Sequence, residues 1–177
     1  TLCIPPEKGF DYLAGLFSTA KPLPRFRVID IKASFLANAG SDLVKELALA
    51  VSMGVEYINQ LTSRGINAED AASKIRFTFG TGSQYFPEIA KLRAARLLWA
   101  TVMNGFAPGN EAASVMEIHS VTSRWNKTIY DPYVNMLRTQ TETMSAVLGG
   151  ADTITVKPFD SVFRRPDNFS KRIARNQ

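Results

Sequence analysis

The sequence has few of the residues that form covalent crosslinks or bind metals. Its 177 residues include one cysteine, Cys3, and one histidine, His119. A single cysteine forms no intramolecular disulfide, so the sequence favours a reducing compartment such as the cytoplasm. One cysteine and one histidine, without clustered carboxylates, also predict no zinc or iron site within this chain.

Long apolar runs are missing as well. No stretch reaches the roughly 20 apolar residues that a membrane span needs, and no basic and apolar leader begins the chain. We therefore expect no membrane partner. The sequence starts at Thr1 without a methionine and stops at Gln177, just after a helix-like run. These ends predict a segment of a larger protein.

The composition is that of one packed domain with a basic surface. Apolar residues make up 45 % of the chain and the formal net charge is +5, which suits a single core of ordinary size. A basic surface can attract nucleic acid or phosphate groups. Acidic residues interrupt the basic cluster, so a solvated helix face is favoured and we expect no nucleic-acid partner. The cluster comprises Arg164, Arg165, Lys171, Arg172 and Arg175.

Short β-rich runs alternate with longer helical runs. Ser41 is the expected N-cap of the second helix and Gly65 its C-terminal cap. Strands are predicted over residues 26–33, 75–79, 115–121 and 152–156. Helices are predicted over residues 8–19, 41–65, 89–102 and 131–148, with another beginning at 168 or 170.

Four strand-then-helix units predict parallel strands joined by right-handed crossovers. Such a sheet is either doubly wound or part of a (β/α)8 barrel. No Gly-x-Gly-x-x-Gly motif follows the first strand, which weakens the dinucleotide-binding alternative. We therefore predict an α/β fold in which four consecutive βα units form part of a (β/α)8 TIM-type barrel.

A partial barrel of this kind has two open edges. Four βα units supply half of the eight strands that closure requires, and their inward side chains lack partners. We expect the remainder of the full-length chain to supply the missing half. In isolation, the segment is expected to self-associate, to remodel or to expose apolar surface.

Ligands of a parallel barrel meet the carboxyl ends of its strands. His119 has no carboxylate at a spacing that would orient it, so a hydrogen-bonded spacer is favoured over a general acid or base. Backbone N–H groups of the loop at 80–83 can approach a phosphate, although such loops are common in barrels. Trp99 and Trp125 are expected to be packing residues. The segments at the strand ends are 32–40, 80–86, 119–125 and 157–166.

Several motifs, taken in order, carry a family resemblance. Residues 86–100 read FPEIAKLRAARLLWA, residues 119–125 read HSVTSRW, residues 131–139 read DPYVNMLRT and residues 169–176 read FSKRIARN. Residues 54–58, GVEYI, are similar to a GxEYI helix. The combination resembles the methylmalonyl-CoA mutase family, whose motifs read close to FxEIAKxRAxRxLWA, HSQTSGW, DPYNNxxRT and FSxRIARN. The resemblance covers nearly the whole chain.

The resemblance implies a barrel that binds acyl-CoA, with the CoA tail along the barrel axis. A separate C-terminal domain of the family holds adenosylcobalamin, which supplies the radical for interconverting methylmalonyl-CoA and succinyl-CoA. Residues 1–177 correspond to roughly the second half of the barrel. The cobalamin domain, with its cobalt-ligating histidine motif, is expected to lie outside this segment.

The segment departs from the family's pattern at several pocket positions. After the first strand, where active members read close to SGYHMQEAG, Ser34 replaces the pocket Tyr and Phe35 replaces the His that assists the substrate carbonyl. Asn38 replaces a Glu near the cofactor. In later segments Val121 replaces the pocket Gln, and Ser161 replaces the Glu associated with the adenosine.

Two charged positions also differ, whereas part of the motif at 119–125 is retained. Asp11 stands for the Arg that pairs with the substrate carboxylate, and Glu117 stands for an Arg two residues before the histidine. Asp11 would repel the substrate carboxylate that the Arg holds. The remnants of the family pocket, for which the sequence assigns no cofactor role, are His119, Ser120, Thr122, Ser123 and Trp125.

Together these losses predict a chain without catalytic residues of its own, because losing one positioned donor can cost on the order of a hundredfold in rate. The resemblance then implies the small subunit of a heterodimer, whose catalytic large subunit carries adenosylcobalamin. The alternative is an active subunit with a different acyl-CoA preference, in which Ser34, Phe35 and Val121 shape the pocket.

Overall fold

The computed structural model describes residues 6–177, and Cys3 lies outside them. Helices and strands alternate as the sequence predicts. In chain order the elements are α1 (Pro6–Ala20), β1 (Ile29–Ile31), α2 (Ser34–Asn38), α3 (Leu43–Thr62), α4 (Ala68–Ala72), β2 (Ile75–Thr81), α5 (Tyr85–Phe106), β3 (Glu117–Thr122), α6 (Val134–Leu148), β4 (Thr153–Thr155) and α7 (Asn168–Asn176).

The four strands form one parallel sheet in the order β1-β2-β3-β4. Strand order thus follows chain order, whereas a doubly wound sheet reverses its order at a switch point. The α/β architecture is therefore compatible with part of a (β/α) barrel, and this prediction is confirmed. The register between β2 and β3 runs from Arg76 opposite Glu117 to Thr81 opposite Thr122.

One face of the sheet packs against α3 and α5 to form the core. Phe77 of β2 meets the indole of Trp99 edge-on, with ring centroids 4.9 Å apart. Gly54 of α3 lies against the same rings, where only the absence of a side chain permits so close an approach. Trp99 is 1 % exposed, which confirms its packing role.

The start of α3 differs from the sequence prediction. Asp42 is the N-cap, because its carboxylate accepts a hydrogen bond from the Lys45 N–H at 2.7 Å. The proposed cap Ser41 lies one residue too early, and its hydroxyl hydrogen-bonds the carbonyl of Asp42 instead. Gly65 has a φ of +81°, the left-handed conformation expected just beyond a helix C-terminus.

Other boundaries shift for identifiable reasons. β1 begins at Ile29 because the amides of Val28 and Ile29 both donate to the carbonyl of Lys74, so regular pairing starts only there. Val115 was expected in β3, but its amide closes a turn on Ala112, and the strand begins two residues later. The helix over 34–38 was missed within a segment expected to be a loop.

Candidate functional site

The sheet face opposite the helices is polar. Paired residues of parallel strands point to the same side, so the register stacks their side chains into layers across the sheet. One layer contains Asp30, Arg76 and Glu117, the next Thr78, His119 and Thr153, and the last Gly80, Val121 and Thr155.

Charged groups on the polar face are paired with one another. The guanidinium of Arg76 donates to Asp30 at 3.0 Å, and Asp30 also accepts from the Thr78 hydroxyl at 2.6 Å. Arg27 donates to the carboxylate of Glu117 at 2.5 Å. Glu117, which the motif resemblance aligns with an Arg, thus supplies a carboxylate that neutralises Arg27.

His119 lies in the middle layer, and both of its ring nitrogens are engaged. Nδ1 is 2.7 Å from the Thr153 hydroxyl and Nε2 is 3.1 Å from the Thr155 hydroxyl. Burial, followed by the nearby Arg76 guanidinium, lowers the pKa of His119 below its usual range. A neutral imidazole that bridges two neighbouring hydroxyls has the geometry of the hydrogen-bonded spacer that the sequence favours.

The structure separates the remnants of the family pocket. Ser120 and Thr122 are buried on the other side of β3 from His119. Ser120 hydrogen-bonds the Thr81 hydroxyl, and the Thr122 hydroxyl accepts from the Lys157 amide at 2.8 Å. Ser123 lies at the end of the strand. Among these remnants, only His119 projects onto the polar face.

The replaced positions lie at or near the carboxyl ends of the strands. Phe35, on α2, is 75 % exposed, and Val121 lies on the polar face beside Gly80. Asn38 bridges two segments, because its amide donates to the Ser34 carbonyl at 2.7 Å and its oxygen accepts from the Arg124 amide at 2.8 Å.

Two further replaced positions lie away from this group. Ser161 is half-buried in a turn that its amide closes on the Pro158 carbonyl, at 3.0 Å. Asp11 lies on the exposed side of α1, where its carboxylate forms an ion pair with Arg64 at 2.7 Å.

Trp125 is 70 % exposed, so its predicted packing role is wrong. It covers Gly40 and lines a small cleft of about 160 Å³ between the loops after β1, β2 and β3. The Asp42 and Glu88 carboxylates and the Ser123 hydroxyl also line this cleft. A larger cleft of about 570 Å³ lies away from these loops, lined by residues such as Phe17 and Lys74.

A buried charged triad, missed from the sequence, lies directly beneath this cleft. The Lys91 ammonium nitrogen is 2.6 Å from an oxygen of Glu46, from an oxygen of Glu88 and from the Gly80 carbonyl oxygen. The remaining oxygen of Glu46 accepts the Gly80 amide and that of Glu88 accepts the Gly82 amide, each at 2.7 Å. Burial raises the pKa of Glu46, and the neighbouring Lys91 opposes that change.

The sequence contained a signal for this triad. Glu88 continues the buried stripe of α5 that includes Leu92 and Trp99, and Glu46 lies on the buried stripe of α3. Charged residues on a core-facing stripe require buried partners. The spacing alone did not identify which helices would supply them.

A second buried pair lies in the loop after β3 and on α6. Lys127 and Asn126 both donate to the same carboxylate oxygen of Glu142, at 2.5 and 2.7 Å. Burial raises the pKa of Glu142 and lowers the pKa of Lys127. In each group the charge of the partner opposes this effect of burial.

None of the helices within residues 6–177 is long and apolar enough to cross a membrane. In the same part of the chain, no three His, Cys, Asp or Glu side chains converge in an arrangement that could hold a metal ion.

Comparisons with known proteins agree with the motif resemblance. The family model described as methylmalonyl-CoA mutase matches residues 1–177. A methylmalonyl-CoA mutase small subunit from Porphyromonas gingivalis is 49 % identical over 92 % of this chain and 26 % of its own length. Methylmalonyl-CoA mutases from Rhizobium meliloti and Cereibacter sphaeroides are each 40 % identical over 99 % of this chain and 25 % of their own length. The chain therefore spans about a quarter of the length of these relatives.

Proposed function

The chain belongs to the methylmalonyl-CoA mutase family, and we propose that it forms part of a small subunit that is itself catalytically silent and supports a catalytic large subunit. The similarity to a protein named as a small subunit, at 49 % identity, favours a subunit role. A small subunit implies a larger partner, and the proposed assembly is a heterodimer. Its reaction is the interconversion of methylmalonyl-CoA and succinyl-CoA.

The main support for the proposal is that the charged and imidazole groups of the polar face already have partners within the segment. A site for this rearrangement needs a free cation to hold the substrate carboxylate and a free donor to polarise the thioester carbonyl. Here Arg76 and Arg27 are neutralised by carboxylates, and the ring nitrogens of His119 are occupied. Phe35 offers no hydrogen bond. These pairings support the proposed silence of this segment, because catalysis depends on pre-positioned groups that are free to meet the substrate.

The proposed cofactor of the assembly is adenosylcobalamin, and its chemistry is the supply of a radical. The described residues do not fit a role as its lower ligand, because the only imidazole in the chain, His119, has both nitrogens committed to threonine hydroxyls on adjacent strands. Within the assembly, we propose that the partner subunit carries the cofactor.

An alternative is an active subunit with a different acyl-CoA preference. The exposure of Phe35 favours it, because an apolar ring at the strand ends can line a pocket for an apolar acyl group. In that case a longer-chain acyl-CoA should raise the melting temperature of the full-length small subunit. No stabilisation by any acyl-CoA tested would contradict this alternative.

The experiment that tests the main proposal is a turnover assay. The full-length small subunit is mixed with methylmalonyl-CoA and adenosylcobalamin, with and without the large subunit. We expect turnover only in the presence of the large subunit. Turnover by the small subunit alone would refute catalytic silence.

A further inference from the structure

The end of β2 extends beyond its neighbour β1. Pairing between these strands stops at Ile31 opposite Phe77, whereas β2 continues to Thr81 alongside β3. The N–H and C=O of one residue in a parallel strand point to the same side. Backbone groups of β2 that face the β1 side beyond Phe77 therefore need partners other than a strand.

Side chains from α3 and α5 supply those partners. The Gly80 amide donates to Glu46 and the Gly80 carbonyl accepts from Lys91. The Gly82 amide donates to Glu88. The Lys91 ammonium donates hydrogen bonds to Glu46 and to the Gly80 carbonyl, and it forms an ion pair with Glu88 at 2.6 Å. Each carboxylate thus links one glycine amide to the same ammonium group.

Further hydrogen bonds connect the end of β2 to the neighbouring loops. The carbonyl of Thr81, between the two glycines, accepts the Ser123 amide at 2.8 Å, and the Ser123 hydroxyl accepts the Trp125 amide at 3.0 Å. On the other side, a Cβ at Gly80 would lie 2.9 Å from the side chain of Ala37, so α2 packs directly on the strand end.

We propose that Lys91, through Glu46 and Glu88, is the positioning residue for the rim of this barrel segment, meaning the loops at 34–40, 80–84 and 123–126. The triad replaces the missing strand partner of β2 and so fixes the walls of the small cleft beneath Trp125. Its contribution is local to the carboxyl end of the sheet. It is independent of whether the subunit is catalytically silent.

The test is hydrogen exchange of the full-length small subunit, measured on peptides by mass spectrometry. In Lys91→Met, exchange at 79–84 and 122–126 should accelerate at least about tenfold, because opening of the loops no longer requires breaking the triad. Exchange in β4 should change little. No partner or substrate is needed, so failure here is distinct from failure of the proposed function.

The matched control is Lys74→Met. Lys74 is also buried and donates to a backbone carbonyl, that of Leu23, but it lies at the opposite end of β2. This control should leave exchange at 79–84 within about threefold of the wild type. Equal acceleration in both variants would show a general loss of stability and overturn the proposal.

A second variant guards against failure of Lys91→Met to fold. Glu88→Gln keeps an acceptor for the Gly82 amide but removes the charge that faces Lys91. It should accelerate exchange in the same two peptides by a smaller factor. Unchanged exchange in this folded variant would contradict a positioning role for the triad.

Discussion

The role of His119 depends on neighbouring residues that the local sequence does not identify. An isolated histidine at a strand end is compatible with catalysis or with structure. The threonine hydroxyls that engage its ring lie on β4, 34 and 36 residues further along the chain. That pairing depends on strand register, which local sequence does not specify.

The pKa of His119 is therefore expected to lie below the ordinary imidazole value of about 6.5. Burial and Arg76 both disfavour the charged ring. The stability that the neutral ring contributes is present above pH 6.5 and is lost as the pH falls through the folded-state pKa. A proton NMR titration of this imidazole measures the midpoint, and a midpoint above 6.5 would contradict the geometry.

Gly54 lies where the Trp99 and Phe77 rings leave no room for a side chain. A Cβ there would lie 2.7 Å from the Trp99 ring and 2.9 Å from the Phe77 ring. Gly54→Ala should lower the free energy of unfolding by about 1–3 kcal/mol through overpacking, despite the better helix propensity of alanine. Chemical denaturation measures the change.

Gly105→Ala is the matched control for that substitution. Gly105 is also helical, on α5, but a Cβ there meets nothing within 4 Å. Helix propensity alone should then raise the free energy of unfolding by up to about 1 kcal/mol. A loss of stability in both variants would show that helix geometry, rather than the aromatic contact, sets the cost at Gly54.

At the scale of elements, the order of helices and strands was predictable because it depends on local periodicity. The buried stripe of α3 follows the expected spacing, and β2 covers the predicted residues 75–79 but continues to Thr81. The helix over 34–38 was not predictable, since its N-cap Ala33 makes no side-chain hydrogen bond. The triad was not predictable either, because it joins Glu46 to Lys91 across two separate helices.

The N-terminus of α3 provides a direct test at this scale. Asp42→Ala removes the hydrogen bond to the Lys45 amide and should destabilise the fold by about 0.5–2 kcal/mol. Asn67→Ala, at the start of α4, should cost much less, because the Asn67 side chain makes no capping hydrogen bond. Equal losses in the two variants, measured by thermal unfolding, would contradict the assignment of Asp42 as the cap.

At the scale of the whole segment, the open edges of the sheet are expected to determine whether it self-associates. Among the described strands, β1 and β4 each pair on one side only. The isolated 177-residue segment should therefore self-associate or bind a hydrophobic dye. Light scattering measures the mass, and a monodisperse monomer that binds no dye would show that the segment closes its own edges.

The family could be inferred from the motifs, and the comparisons confirm it. The proposed catalytic silence depends also on which side chains are free at the polar face, where Arg76 pairs with Asp30 and Glu117 pairs with Arg27. These contacts join residues that are distant in sequence. They add a second physical reason for silence to the loss of positioned donors that the replaced residues indicate.

The most direct test of this account is the stoichiometry of acyl-CoA binding to the assembled mutase. Isothermal titration of the purified heterodimer with a non-reactive acyl-CoA analogue counts the competent barrels. One analogue bound per heterodimer is the predicted result, because Asp30, Arg76 and Glu117 on the polar face of the described segment are already paired. Two bound per heterodimer would contradict the proposed silent subunit.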